Sequence, residues 1–372
     1  MLLSYAMVDV NIKKGKIIIY RLFDIASEIN LSLLETSAGE ATKRLRLSRE
    51  PYVKAIEFAN PPLSIELKSF TKSLFGQDVN INVVAKTYDF GVLSLAFDIP
   101  IPHDTTFTEL EVVVKELDID ESINEKAKEY AQYLLNTFGN AFVNHAIKEG
   151  FIEDYTIFFI ERLDREIESS EFMKHYDPSR LLLYESGQIS QHMKEETLKY
   201  SFSYYTNDIV ILHLDNAFII DPSGSSDILD ILEFANAQIL ELRYYDHVID
   251  KELDRIYSEL PERGGVSIFK LRNYERLVRK ITETVTELTK VTERVDNALK
   301  VTEDIYYAKI YRTAMTIFRS RDWEESIKEK LQIVTNTYRM LYNEITTKRG
   351  HILEFTIVIL ILIDIILVII WR

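Results

Sequence analysis

The sequence predicts an α+β fold: a head of mixed strands and helices, then an antiparallel long-helix bundle or coiled coil, then one C-terminal transmembrane helix. Three observations predict it. Strand and helix patterns intermix as far as the Asp221, Pro222, Ser223, Gly224 turn, an apolar seam with heptad spacing follows, and Ile352–Trp371 is apolar apart from Glu354, Thr356 and Asp364. The boundaries that result are 1–222 for the head, 223–350 for the stalk and 351–372 for the anchor.

Within the head, Lys16–Tyr20 (KIIIY) reads as a strand, Ile25–Glu35 as a helix, and Asn80–Ile101 as two strands turning near Asp89–Gly91. Pro61, Pro62, Pro100 and Pro102 punctuate this region. Ile123–Lys148 carries Ala127, Tyr130, Ala131, Leu134, Phe138, Phe142 and Ala146 at helical spacing, with acidic residues near its start as a helix dipole prefers. Tyr155–Ile160, Ile209–Leu214 and Ala217–Ile220 complete the β-rich set. A helix then opens at Ser226 and Asp227 and runs to Leu260, before the Pro261, Gly264, Gly265 turn.

The next stretch places Leu271, Tyr274, Val278, Ile281, Val285, Leu288, Thr292, Val295, Leu299 and Thr302 three and four residues apart, a continuous seam that needs a partner. Two arrangements satisfy it. One is an intramolecular antiparallel bundle, favoured by the flanking turns and by Thr292 and Thr302; the other is an intermolecular coiled coil. A third helix is expected from Asp322 as N-cap, with Glu324 and Glu325 in its first turn, continuing through Lys348 into the membrane. Gly350 is its weak point.

The twenty residues Ile352–Trp371, at 1.5 Å each, span a hydrocarbon core of about 30 Å. Only Arg372 follows the span, so a tail anchor is expected, with Lys348, Arg349 and His351 on its near side placing the bulk of the chain in the cytoplasm at an inner or plasma membrane. The first 21 residues carry Asp and Lys where a signal peptide needs an apolar core. The absence of cysteine excludes disulfides and thiolate chemistry and is consistent with a reducing compartment. A net charge of -15 argues against broad binding to nucleic acid or anionic headgroups.

Two carboxylates mark the span. Glu354 reaches the near interface, whereas Asp364 lies twelve positions in from Ile352, about 18 Å, and so past the midplane. Either Asp364 faces another transmembrane helix, from a second copy or a different protein, or it is a protonated acid snorkelling towards Trp371 and Arg372. Enzyme signatures are thin. The seven histidines are scattered without HExxH spacing, and GxxxxGK, GxGxxG and GxSxG do not occur. His213 with Asp215 reads as structural, and Asp89, Phe90, Gly91 as a hairpin bend. No catalytic residue, cofactor or metal ligand is expected. The expectation is a non-enzymatic, membrane-anchored scaffold with a protein partner and possible self-association; the alternatives are a motif-less enzyme or nucleotide-binding regulator in the head, or an accessory subunit of a membrane complex.

The stretch RSRDWEESIKEKLQIVTNTYRMLYNEITTKRGHILEFTIVILILIDIILVI resembles the end of the required-for-meiotic-nuclear-division family, in which Trp-Glu opens a long helix and Leu-Glu-aromatic opens an apolar one carrying a second acid. The matching positions are Trp323, Glu324, Leu353, Glu354, Phe355 and Asp364. LEFANAQILELRYYD (Leu232–Asp246) is similar to the helical segment of prokaryotic relatives, and VAKTYDFGVLSLAF to the family's aromatic-Gly-Val strand. Asp364 stands where many relatives carry Glu, and Ser94 and Ala96 replace part of the strand's aromatic continuation. The resemblance covers about half of the chain and is strongest after Leu229. It implies a membrane-anchored protein with an α+β head and a helical stalk, of a family without an assigned catalytic activity.

Overall fold

Runs of β-branched and aromatic residues, which fit a pleated and buried surface, build the head. The computed structural model describes residues 10–39, 42–44, 60–148, 150–185, 187–259 and 304–371, with isolated helical positions at 276, 279, 282, 283 and 286. The chain divides into two compact units, Met1–Arg243 with Asn297–Arg321, and Tyr244–Asp296 with Asp322–Arg372.

The first unit is sheet-rich. Its strands are β1 (Asn11–Asp24), β2 (Glu28–Ile29), β3 (Thr42–Arg44), β4 (Leu63–Leu74), β5 (Gln77–Thr87), β6 (Val92–Pro100), β7 (Thr105–Thr106), β8 (Phe142–Val143), β9 (Ile152–Leu163), β10 (Ser201–Phe202), β11 (Ile209–Leu212) and β12 (Asn216–Ile220). Its helices are α1 (Leu31–Ala38), α2 (Phe107–Asp118), α3 (Ser122–Phe138), α4 (Ser169–His175), α5 (Ser179–Leu182), α6 (Gln191–Thr197), the first half of α7 (Asp227–Glu259) and α8 (Ile305–Ile317). Helix α9 (Ser320–Ile370) carries the chain onward. The main sheet has the order β10-β11-β12-β9-β1-β6-β5-β4-β3, with β7 pairing β1 and the short β2 and β8 pairing apart from it. Strands β9 and β12 pair in parallel, and the other pairings run antiparallel.

The sheet buries both faces, as the unbroken apolar run of β1 requires. Ile17, Ile19 and Phe23 share a core cluster with Leu93, Leu95 and Phe97 of β6 and with Leu110, Val114, Ala127 and Leu134 of α2 and α3. The alternate residues Ile18, Tyr20 and Leu22 are also buried, on the opposite face. That second face meets α7, whose residues 227–242 are buried around the full circumference of the helix.

In the second unit, Asp246 of α7 accepts hydrogen bonds from Ser326 Oγ (2.7 Å) and Lys330 Nζ (2.8 Å) of α9. Lys330 also pairs with Asp250 at 2.7 Å. Because both partners advance along the chain together, the two helices run side by side in the same direction. Ile249, Leu253, Ile256, Ile327 and Val334 are buried. The seam residues Leu271, Tyr274, Val278, Ile281, Val285, Leu288, Val295 and Leu299, with Thr292 and Thr302, lie outside the described residues.

Local chemistry moves several element ends. Ile25–Glu35 is not one helix: Ile25–Ser27 bends against the β5–β6 turn, Glu28–Ile29 pairs with Phe142–Val143, and the helix begins at Leu31 once the Asn30 side chain accepts from Leu33 N at 3.0 Å. The helix expected to reach Lys148 stops at Phe138, before Gly139 and a 3₁₀ turn that leads into β8. Asp322 is not an N-cap but lies in the first turn of α9, which starts after Arg319 takes a φ of 57°. A further helix, α8, precedes it, capped by Asp304 accepting from Tyr306 N and Tyr307 N.

Candidate functional site

Two features stand apart from ordinary packing, a buried charge cluster in the first unit and an exposed apolar helix in the second. The cluster forms where α7 crosses the sheet. Lys86, on β5, donates to Asp230 Oδ1 at 2.8 Å and to Glu233 Oε2, and all three side chains are nearly inaccessible. Asp230 and Glu233 are three apart and therefore share one face of α7. Ser94 of β6 and Tyr20 of β1 lie beside them.

The electrostatics follow from burial and charge. Burial alone would lower the Lys86 pKa, but its two carboxylates outweigh that and hold it above its ordinary value. Burial pushes Glu233 up, with the Lys86 charge opposing the rise. Tyr20 and Tyr88 are raised well above the phenol range, first by burial and then by Glu233 and Asp230. Next to the cluster, Tyr88 stacks on Phe90 with centroids 5.3 Å apart and meets Phe234 of α7 at 5.8 Å. The arrangement fixes where α7 sits on the sheet, because any shift would strand charges in a dry interior.

Two further pairs repeat the pattern. Asp24, fully buried at the end of β1, accepts from Lys148 Nζ at 2.6 Å, and burial pushes its pKa up to about 6. Glu153 of β9 pairs with Arg243 of α7, and burial lifts it to about 7. The carboxyl ends of the parallel β9 and β12 border a cleft of about 340 Å³. Leu163, Phe172, Ile209 and Ile220 line it, with Arg162 and Asp164 among its charged residues. Among the described residues, no group of three or more His, Asp or Glu side chains is arranged to hold a metal ion.

Helix α9 carries the positions singled out from sequence. It is a single helix of 51 residues, continuous through Gly350, and its part Thr346–Ile370 is long and apolar enough to cross a membrane. None of that span's apolar window is buried, and Phe355 and Trp371 are 68% and 90% exposed. Trp323 and Glu324 lie half-buried in the first turn. Leu353, Glu354 and Phe355 follow about 45 Å along the axis, so the Trp-Glu and Leu-Glu-aromatic pairs do not form one site. Glu354 lies 3.5 Å from His351 Nδ1 one turn earlier. Asp364, ten residues further on, makes no ion pair or hydrogen bond among the described residues.

Sequence reasoning missed the Lys86 cluster. Its trace was present as one Lys in the apolar strand VVAKTY and as acids spaced by three in α7, but the partners lie 144 and 147 residues apart.

Residues 14–227 match the domain family described as "Uncharacterized protein MJ0711, N-terminal domain", a stretch running from β1 to the first residue of α7. The chain is similar to the uncharacterized protein MJ0711 of Methanocaldococcus jannaschii, with 27% identity over 221 residues. That similarity covers 58% of this chain and 66% of the relative, just under two thirds of the relative's own length. No solved structure matches the chain.

Proposed function

The chain belongs to the MJ0711 N-terminal domain family, and from that premise we propose that it is a membrane-anchored scaffold, holding this domain at the bilayer surface to engage a protein partner without catalysing a reaction. The observation that carries the reading is the unbroken helix Ser320–Ile370, whose part from Ile352 onward is apolar apart from Glu354, Thr356 and Asp364 and is exposed throughout. In water, such a surface would be a large unburied apolar patch; in hydrocarbon it is the preferred lining. A helix also satisfies its own backbone groups, the condition for crossing a bilayer. Lys348 and Arg349 flank the span on the head's side, which supports a cytoplasmic orientation at an inner or plasma membrane. The resemblance of the C-terminal third to the required-for-meiotic-nuclear-division family supports the same architecture.

Membrane fractionation of the full-length chain tests this. The protein is expected in the pellet after alkaline carbonate washing and in the supernatant only after detergent. Protease added to inside-out vesicles should digest the head, and added to right-side-out vesicles should spare it. Full release by carbonate would refute the anchor.

A further inference from the structure

The span's two acids share one stripe. Glu354, Ile357, Ile361, Asp364, Val368 and Trp371 are spaced three, four, three, four, three, which at 100° per residue keeps them within an arc of about 100°. The remaining circumference from Ile352 to Ile370 is Ile, Leu, Val, Phe and Thr, and Thr356 turns its hydroxyl back to donate to Ile352 O at 2.8 Å. One face of the helix is therefore marked and the rest suits lipid.

The acids differ in what their own chain offers them. Glu354 has His351 one turn away at the membrane edge. Asp364 sits about 9 Å from the last residue of the helix and about 18 Å from Ile352, too deep for a two-bond side chain to reach water. No Lys, Arg or His occurs from Ile352 to Trp371.

We infer that the Glu354/Ile361/Asp364/Val368 stripe docks against a transmembrane helix of a different protein that carries a Lys or Arg at the depth of Asp364. This deepens the membrane-anchor reading and rests on it. Charge complementarity selects the occupant. A second copy lying parallel would bring Asp364 against Asp364, two like charges whose repulsion is relieved only by protons taken from water, and it supplies no counter-charge. A basic partner cancels the charge outright, and a long Lys or Arg side chain can reach the carboxylate along the helix surface.

The test uses full-length protein, labelled with a donor fluorophore and reconstituted in phosphatidylcholine vesicles, with an acceptor-labelled polyleucine transmembrane peptide bearing one central-to-distal Lys at the matching depth. Flotation first establishes that the protein enters the vesicles; failure to float refutes the anchor and this inference together. With the protein incorporated, energy transfer to the Lys peptide is expected to need at least about tenfold less peptide than transfer to an all-Leu control. Asp364→Leu should erase that preference and Glu354→Gln should keep most of it. Asp364→Lys should switch the preference to a peptide carrying Asp at the same depth. Equal transfer to both peptides overturns the inference while leaving the anchor intact. So does transfer between donor- and acceptor-labelled copies of the chain that disappears in Asp364→Leu, since the occupant is then a second copy.

Discussion

Lys86→Met tests the packing of α7 on the sheet. The substitution keeps most of the side-chain stem and removes the cation, leaving Asp230 and Glu233 in a site where the Glu233 side chain is 3% exposed. Breaking a buried pair from one side costs about 3–5 kcal/mol, because the stranded charge is neither solvated nor compensated. With a urea m-value of roughly 2.5 kcal/mol/M, about 4 kcal/mol lowers the unfolding midpoint by about 1.6 M. The loss has a sign in pH. Burial raises the Glu233 pKa above its unfolded value and the Lys86 charge opposes that rise, so without the cation the variant is most stable below the unfolded value and weakens as pH rises through the folded one. Urea unfolding of the full-length chain in detergent micelles, followed by circular dichroism and pulse proteolysis at pH 5 and pH 8, should show the larger deficit at pH 8. Adding Glu233→Gln should recover part of it. A midpoint shift below about 0.4 M that is the same at both pH values would refute the claim that the cluster fixes α7.

Other perturbations probe the same molecule elsewhere. Burial pushes the folded pKa of Asp24 up to about 6 from its ordinary 3.8, so its contribution is complete below the lower value and is lost as pH rises through the upper one. Asp24→Asn removes that slope, and the variant should gain up to about 3 kcal/mol relative to the parent between pH 4 and pH 7; urea curves whose separation does not change with pH exclude it. Gly91→Ala puts a methyl 2.0 Å from Ala26 O at a φ of 103°, and should cost at least about 3 kcal/mol or abolish soluble expression. Gly76→Ala, also at positive φ but with open space around it, should cost only about 1 kcal/mol; equal costs by thermal melting would show that the close approach to Ala26 is unimportant.

What the sequence disclosed depended on the range of the interactions involved. KIIIY, the 80–101 pair of strands and the Ile209–Ile220 hairpin were legible because alternation and turn residues act over a few positions, and each is present. The bend at Asp89–Gly91 was legible too, though not its reason: Ile25 N donates to Gly91 O at 3.1 Å across 66 positions, which is also what converts the expected Ile25–Glu35 helix into a bend and a short strand. Helix α8 escaped notice because its apolar spacing follows directly on the seam ending at Thr302, and only the Asp304 side-chain cap separates them. The apolar span of α9 could be read outright, since length and composition alone specify it. The matched family region ends at Asp227 and does not include that span.

The ion pairs of the chain give a reason to treat Asp364 differently from its other acids. Asp24 meets Lys148, Glu233 and Asp230 meet Lys86, Glu153 meets Arg243, and Asp246 meets Lys330, so five acids that face a low-polarity setting have a cation from at least 84 positions away. Each such pair carries a desolvation cost that only a well-placed counter-charge offsets. A helix surrounded by lipid has no distant strand to supply that cation, and an acid at its depth costs at least about 2.5 kcal/mol on insertion scales. The same chemistry that joins α7 to the sheet inside one unit therefore requires, at Asp364, a proton or a second chain. A proton would leave the acid neutral and indifferent to a basic neighbour, whereas a second chain makes the preference for that neighbour depend on the carboxylate itself.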